Sequence, residues 1–379
     1  MPYVSYASNF LWVLVLGLIG PSIPAIIRDL GISYPQAGLF FTMLSIGSLL
    51  GTLIGGIASD YLNRKALFIF FSLCLCIGLV LMGAASTYMI ILILILLFSL
   101  LGSPIGALGQ SIMLHMFPES RERNLSFQTM FAAAGSFLAP FIVSFTITRG
   151  LNWRWSFMEA GILSGILLIV VIFYRFPKVP SETEKVPIGV IFKNKQVIIS
   201  AVFIFFSIAL DIGFSYWLAE YFKTELGVRI GIASMVVGVY LAGVMTGRFI
   251  ISLYLKKMKP LTILQFHLSL SVISLIFFIT LPVPGIKAVF CYLYGFGIGP
   301  LFPLMLAKGA ETYPDQPGAV TGFLFSWMSL GGMVFPLLIG SMAEVFGIQN
   351  SYYFNVAVGL GVLITLSIWL GNRKQLKTT

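Results

Sequence analysis

The stretch that decides the fold is VIISAVFIFFSIALDIGFSYWLAEY, residues 197–221, in which only Asp211 and Glu220 carry charge. A transmembrane helix needs about 20 consecutive, mostly apolar residues, so this run is long enough to cross a bilayer. The whole chain has the same character, since 58% of its residues are hydrophobic and 9% are charged. Soluble domains carry roughly 25% charged residues. The composition therefore predicts a membrane protein.

Similar apolar runs recur along the chain. They lie at 4–27, 36–58, 66–86, 88–113, 125–147, 155–174, 197–221, 232–254, 262–281, 285–307, 318–342 and 352–371. Because a helix satisfies its own backbone hydrogen bonds in lipid, each run predicts a membrane-spanning helix. We therefore expect an all-α polytopic membrane protein with twelve transmembrane helices.

The basic residues predict the orientation of these spans. Most of the 23 Lys and Arg residues fall on one side of the membrane when both termini are placed in the cytoplasm. Short loops rich in Lys and Arg stay in the cytoplasm. We therefore expect a multi-pass plasma membrane protein with cytoplasmic termini, and the short loops favour a prokaryotic cytoplasmic membrane.

One polar segment, FPKVPSETEKVPIGVIFKNKQ at 176–196, interrupts the apolar pattern. Its three prolines and mixed charge are typical of a linker. The predicted organisation is an N-terminal six-helix bundle over 1–177, a cytoplasmic linker over 178–196 and a C-terminal six-helix bundle over 197–379.

The two halves match at a fixed shift of 196 residues. The matching pairs are Gly17 and Gly213, Gly31 and Gly227, Gly51 and Gly247, Pro104 and Pro300, Pro118 and Pro314, Gly135 and Gly331, and Pro140 and Pro336. Each half has an even number of spans, so the two six-helix repeats are parallel. Parallel repeats in transporters place the substrate site between the halves near mid-membrane, with rocking of one half on the other. The repeat therefore favours a secondary transporter that works by alternating access.

The sequence GGIASDYLNRK, 55–65, resembles the loop signature of the major facilitator superfamily, a family of twelve-helix transporters. The chain keeps Gly56, Asp60, Arg64 and Lys65 of that signature. It has Asn63 where the family has Gly, and Asn tolerates the left-handed turn expected there. The resemblance implies that the four matching residues form a cytoplasmic gate. The alternative is that Arg64 and Lys65 serve only as charges that fix the orientation.

Other segments are similar to the fucose:proton symporter branch of that superfamily. They are FPESRERNLSFQTMF at 117–131, GRFIISLYLKKMKPL at 247–261, GFGIGPLFPLMLA at 295–307 and GGMVFPLLIG at 331–340. The resemblance implies import of a small polar solute such as a sugar. The chain departs from the branch in its first and fourth spans, which lack the carboxylates that the branch carries there. In the fourth span, Ile105 stands at the matching position.

Asp211 is the candidate ion-coupling residue. A charged side chain at the centre of a span costs about 2.5–3.5 kcal/mol on insertion scales, so an unneeded carboxylate is unfavourable there. Asp211 can take up a proton, because burial disfavours the charged form. It can also ligate Na⁺ or accept hydrogen bonds from a polyhydroxy solute. A paired, purely structural carboxylate is the alternative.

A sugar site also needs amides and aromatic platforms. The candidates, besides Asp211, are Asn9, Trp12, Gln110, Gln128, Tyr216, Trp217, Phe302 and Trp327. Arg248 is assigned to a gate or a stabilising ion pair, with Glu311 as its expected partner. His115 and His267 stand near predicted helix ends, so we interpret both as interfacial.

The sequence thus predicts a transporter with a small-molecule substrate, H⁺ or Na⁺ as coupling ion and the bilayer as its partner. It predicts a monomer without a nucleic-acid partner, cofactor or metal, since Cys74 and Cys76 at i, i+2 fall on different helix faces. The spans show no nucleophile–base constellation, so an enzyme is not expected. An exporter of amphipathic compounds by proton antiport and a uniporter are the open alternatives.

Overall fold

A computed structural model describes residues 2–116, 121–174, 194–254, 260–313 and 317–375. Over these residues the regular structure is α-helical. The helices are α1 (Pro2–Leu30), α2 (Tyr34–Tyr61), α3 (Arg64–Ala84), α4 (Tyr88–Met116), α5 (Arg121–Thr148), α6 (Arg154–Phe173), α7 (Lys195–Ser215), α8 (Leu218–Thr224), α9 (Ile230–Tyr254), α10 (Pro260–Thr280), α11 (Pro284–Ile298), α12 (Leu301–Ala310), α13 (Pro317–Phe346) and α14 (Ile348–Gln375).

Eleven segments of the described chain are long and apolar enough to cross a membrane. Two of them consist of two consecutive helices each, α7 with α8 in Lys195–Thr224 and α11 with α12 in Pro284–Ala310. The remaining predicted span, 352–371, falls within α14. The prediction of an all-α polytopic membrane protein is confirmed.

The contacts between helices divide the chain into two units. One comprises Met1–Glu184 together with Val228–Gly238, and the other comprises Lys185–Gly227 together with Val239–Thr379. The start of α9 therefore groups with the first six helices. Residues 175–193 lie outside the described residues, so the linker boundaries at 178–196 stay a prediction.

In the first unit, α2 packs closely against α4 because glycine removes the side chains at the crossing. A Cβ on Gly47 would lie 2.6 Å from the Leu96 carbonyl oxygen, and one on Gly51 would lie 2.0 Å from that of Leu100. Both distances are too short for a real Cβ, so the two backbones touch where the glycines lie. Small residues four apart are the usual means of close helix approach in membranes.

The second unit repeats this crossing between α9 and α11. A Cβ on Gly243 would lie 2.1 Å from the Tyr292 carbonyl oxygen, and one on Gly247 would lie 2.3 Å from that of Phe296. Each of these residues follows its counterpart in the first unit by 196 positions. The repeat in the sequence is thus a repeat of helix packing.

The turns after the first span of each half also match. Gly31 follows α1 and Gly227 follows α8, and both have φ of 62°. A left-handed backbone at the end of a helix is the conformation that glycine adopts without a steric cost. The same offset therefore preserves the turn as well as the crossing.

Asn63 corrects one expectation. It does not adopt a left-handed turn, since its φ and ψ are −62° and 114°. Instead it is the N-cap of α3, and its side-chain oxygen accepts hydrogen bonds from the N–H groups of Lys65 and Ala66. Asn is among the preferred N-cap residues, which explains why it stands at this position.

The helix crossings predict a stability test. We expect Gly51→Ala to destabilise the protein by about 1–3 kcal/mol, because the added methyl group forces α2 away from α4. Gly361→Ala, at a helical glycine with open space around it, is the matched control and should not lower stability. Thermal unfolding of both variants in detergent micelles checks this. Equal melting temperatures of the two variants would contradict the close packing of α2 against α4.

Candidate functional site

Asp211 lies in α7, half-buried, and its carboxylate is held by a tyrosine from another helix. The Tyr240 hydroxyl of α9 donates a hydrogen bond to Asp211 Oδ1 at 2.7 Å. The Tyr240 ring is fully buried and packs against the rings of Phe214 and Tyr294, with centroids 5.6 Å and 6.1 Å away. The tyrosine therefore has one orientation, with its hydroxyl on the carboxylate.

Three more side chains fix the segment of α7 that carries Asp211. The Tyr294 hydroxyl donates to the Leu210 carbonyl at 2.5 Å, and Asn355 Nδ2 donates to the Ala209 carbonyl at 3.3 Å. The Tyr352 hydroxyl donates to the Phe214 carbonyl at 3.1 Å. These donors come from α11 and α14 and rigidify the helix on either side of the carboxylate.

The hydrogen bond from Tyr240 does not use the full acceptor capacity of the Asp211 carboxylate. Among the described residues, neither of the two salt bridges includes Asp211, and no group of three or more His, Cys, Asp or Glu side chains could hold a metal ion. A carboxylate with one oxygen bound by a neutral hydroxyl can still take up a proton or accept a hydrogen bond from a solute. The position therefore permits ion coupling and solute binding.

Three of the predicted first-half residues come together between α1, α4 and α5. Asn9 Nδ2 donates to the Gln128 backbone carbonyl at 3.2 Å. Trp12, 8% exposed, covers Gly102, where a Cβ would lie 2.8 Å from its ring. On Gly106, one turn further along α4, a Cβ would lie 3.2 Å from Asn9 Oδ1. The glycines of α4 thus provide the space that the polar and aromatic side chains fill.

Gln128 is the unusual member of this cluster. Its side chain is 3% exposed, and its Oε1 has no hydrogen-bond partner among the described residues. A buried acceptor without a donor costs about 1–3 kcal/mol. The side chain of Gln110 lies outside the described side chains, and Gln110 stays a prediction.

The predicted aromatic residues of the second half are distributed over several places. Tyr216 is half-buried at the end of α7, in the break before α8. Phe302 packs against Phe325 with centroids 5.8 Å apart, and Trp327 makes an edge contact with Phe205 at 6.0 Å. These residues stay predicted ligands of the solute.

Trp217 has a packing role in the structure. Its side chain is 0% exposed, and its indole N–H donates to the Pro336 carbonyl of α13 at 2.9 Å. This burial leaves the indole no open face for a solute. We therefore leave Trp217 out of the proposed site.

The predicted gate has one contact that the sequence did not indicate. Lys65 Nζ donates to the Ile172 carbonyl at 2.8 Å, at the end of α6. Gly56 is exposed with open space around it, and Arg64 is the first residue of α3. The Asp60 side chain lies outside the described side chains. The gating role of these four residues stays a prediction.

The expected ion pair between Arg248 and Glu311 is wrong. Arg248 Nε instead donates to the Gly299 carbonyl at 3.0 Å, and Glu311 is exposed at the end of α12. The carbonyl is available because the residue four positions later is Pro303, which has no N–H to bond it.

His267 is a buried side chain of the second unit, and its interfacial depth stays a prediction. It is 3% exposed, and its Nδ1 lies 3.2 Å from the Phe296 carbonyl oxygen. That carbonyl likewise lacks a backbone donor, because Pro300 stands four residues later. His115 has no described side chain, so its interpretation as interfacial stays a prediction.

Tyr240, Tyr294 and Asn355 are not among the site residues that the sequence predicts. A weak signal existed, since a carboxylate inside a membrane requires a donor nearby. The chain contains 15 Tyr residues, however, and the sequence alone gives no reason to select Tyr240 among them.

The two tryptophans provide a test of packing against binding. We expect Trp217→Phe to lower stability by about 1–3 kcal/mol, because it removes a buried hydrogen bond and leaves a gap where the larger indole ring system packed. Trp327→Phe is the control and should melt like the parent protein, because Trp327 is half-buried and makes edge contacts with the rings of Phe205 and Phe323. Chemical or thermal unfolding in micelles measures both. A Trp217→Phe variant of unchanged stability would contradict the packing role.

Comparison with known proteins agrees with this architecture. The sequence model described as Major Facilitator Superfamily matches residues 6–335. The chain is 25% identical to the inner membrane transport protein YdiM of Escherichia coli (strain K12), over 98% of this chain and 94% of YdiM. Its fold is similar to a D-xylose-proton symporter, with TM-score 0.82, 14% identity and 96% of each chain covered. It is also similar to the nucleoside transporter NupG, with TM-score 0.78, 16% identity and 97% of each chain covered. The chain belongs to the Major Facilitator Superfamily, and it is a multi-pass membrane transporter, not an enzyme.

Proposed function

We propose that this protein is a secondary active transporter that moves a small, uncharged, hydroxyl-rich solute by alternating access, coupled to H⁺. The observation that carries the proposal is Asp211, a carboxylate within a span that is held by one tyrosine hydroxyl and lies outside both salt bridges of the described chain. The proposal includes cytoplasmic termini, a monomer and two bundles over 1–177 and 197–379.

The polar groups of each unit indicate the kind of solute. In the first unit, Gln128 Oε1 is a buried acceptor without a donor among the described residues. In the second unit, Asp211 is an acceptor with one oxygen bound by Tyr240. Acceptors are complemented by a solute that donates hydrogen bonds, and a negatively charged solute would be repelled by the carboxylate. Sugars and nucleosides have this chemistry, and transporters of both kinds have this fold.

The surroundings of Asp211 favour H⁺ over Na⁺. A carboxylate taken out of water is costly unless it is paired or neutralised, and a proton neutralises it without further ligands. A metal cation would need several oxygen ligands at once. Among the described residues, the hydrogen-bond partner of Asp211 is the Tyr240 hydroxyl, which already donates its hydrogen to the carboxylate.

Replacement of Asp211 by Asn is the decisive test. Purified protein in proteoliposomes should take up radiolabelled L-fucose, D-xylose or uridine against its gradient when the outside is acidified. Asn imitates the protonated carboxyl group, so we expect Asp211→Asn to keep counterflow exchange but to lose accumulation driven by the pH gradient. Glu159→Gln, at a half-buried carboxyl in α6, is the matched control and should accumulate solute normally.

The other outcomes separate the alternatives. Accumulation that follows a Na⁺ gradient would replace H⁺ as coupling ion. Accumulation by Asp211→Asn equal to that of the parent protein would remove Asp211 from coupling, and equilibration without accumulation in the parent would indicate a uniporter. No exchange of any of the three solutes, together with saturable dye efflux, would identify an exporter.

Gln128 offers a second test, in which stability and binding move in opposite directions. Gln128→Met has a similar shape and removes the buried acceptor. We expect the melting temperature to stay equal or rise, because an unsatisfied buried polar atom is lost. The solute concentration for half-maximal uptake should rise about tenfold, the usual effect of about 1.4 kcal/mol of lost binding. A variant that is destabilised and binds normally would make Gln128 a structural residue.

A further inference from the structure

The span Pro284–Ala310 is broken between α11 and α12, and two prolines account for the break. In an α-helix each carbonyl accepts from the N–H four residues later, and proline has no N–H. Pro300 therefore leaves the Phe296 carbonyl without its backbone donor, and Pro303 does the same to the Gly299 carbonyl. In lipid, an unsatisfied carbonyl costs several kcal/mol, so these two oxygens need donors from elsewhere.

Two basic side chains from neighbouring helices supply those donors. Arg248 of α9 donates through Nε to the Gly299 carbonyl at 3.0 Å. His267 of α10 places Nδ1 3.2 Å from the Phe296 carbonyl oxygen, and its ring stacks on the Phe296 ring with centroids 5.3 Å apart. A carbonyl only accepts, so the bonded Nδ1 carries the hydrogen.

The corresponding span of the first half, α4, lacks the second proline and the basic neighbours, and its helix is not broken. Helix α4 is continuous over Tyr88–Met116 although it contains Pro104, the counterpart of Pro300. The counterpart of Pro303 is Ala107, which keeps its N–H. The counterparts of Arg248 and His267 are Thr52 and Phe71, neither of which is basic. The second proline, the break and the two basic residues therefore occur together in the second half and are absent from the matching positions of the first half.

We propose that Arg248 and His267 are positioning residues that replace the two N–H groups removed by Pro303 and Pro300, and thereby anchor the joint between α11 and α12. The anchored joint sets the direction of α12 and of Phe302 within it. The inference concerns the described second unit alone, and it does not depend on which solute or ion the protein carries.

The backbone at the joint makes a proline rescue possible. Gly299 has φ −48° and ψ −46°, and Pro300 has φ −78° and ψ −16°, so both are near helical values. An N–H introduced at position 303 can therefore reach the Gly299 carbonyl. We predict that Pro303→Ala makes Arg248 dispensable.

Hydrogen–deuterium exchange of the purified protein in micelles, read on peptides that cover 295–306, tests this prediction. We expect Arg248→Ala to speed exchange about fivefold, the effect of one lost hydrogen bond of typical net strength. Arg248→Lys should exchange like the parent, because the ammonium group can still donate. Arg248→Ala combined with Pro303→Ala should return exchange to the rate of Pro303→Ala alone. Pro284→Ala is the matched control, since a proline at the first position of α11 frees no carbonyl.

His267 is tested in the same assay. His267→Ala should speed exchange of the same peptides, and Pro300→Ala should cancel that effect, whereas Pro303→Ala should not. Unchanged exchange in Arg248→Ala, or the same increase with and without Pro303, would overturn the proposal. If Arg248→Ala does not fold, Pro303→Ala alone decides, because it should slow exchange at the joint while Pro284→Ala leaves it unchanged.

Discussion

The structure depends on one constraint, that backbone carbonyls in a membrane need hydrogen-bond donors and find no water there. Helix ends and prolines create carbonyls without backbone donors, and long basic side chains reach them. Arg154 Nε donates to the Ala85 carbonyl just after α3, and Lys287 Nζ donates to the Phe278 and Ile279 carbonyls at the end of α10. Lys65 and Arg248 act in the same way at other carbonyls.

This constraint gives several basic residues a second role beside orientation. Arg154 also pairs with Asp29 at the end of α1, and Lys287 also donates to the Tyr221 hydroxyl in α8. In each unit, one cation therefore joins the end of the third span to the end of the first. Such residues look like loop charges in the sequence, yet Lys287 is 2% exposed. A count of positive charges identifies their side of the membrane but not their bonds.

The sequence predicts the parts of the fold that depend on hydrophobicity and on glycine and proline spacing. Span length follows from the thickness of the bilayer, and the 196-residue offset holds because Gly51 and Gly247 each permit the same close crossing. The hydrogen-bond partners of side chains are not predicted in this way, because they depend on distances between helices. Charge alone predicts an acid as the partner of Arg248, but Pro303, the third residue of α12, frees the Gly299 carbonyl, which accepts from Arg248 instead. Tyr240 is not predicted for the related reason that the sequence is equally compatible with a ring that faces lipid.

Asp211 is set apart by the same constraint that explains the basic residues. An ionised carboxylate cannot bond a carbonyl, because both are acceptors, and the N–H groups of its own helix are engaged within the helix. At the matching position of the first half stands Val15, fully buried, so the shared helix packing does not require a polar group there. The hydrogen bond of Asp211 is to the Tyr240 side chain, a contact that the shared helix packing of the first half does without. A residue that costs stability and satisfies no backbone group is best explained by something that arrives during transport, a proton or a hydroxyl of the solute.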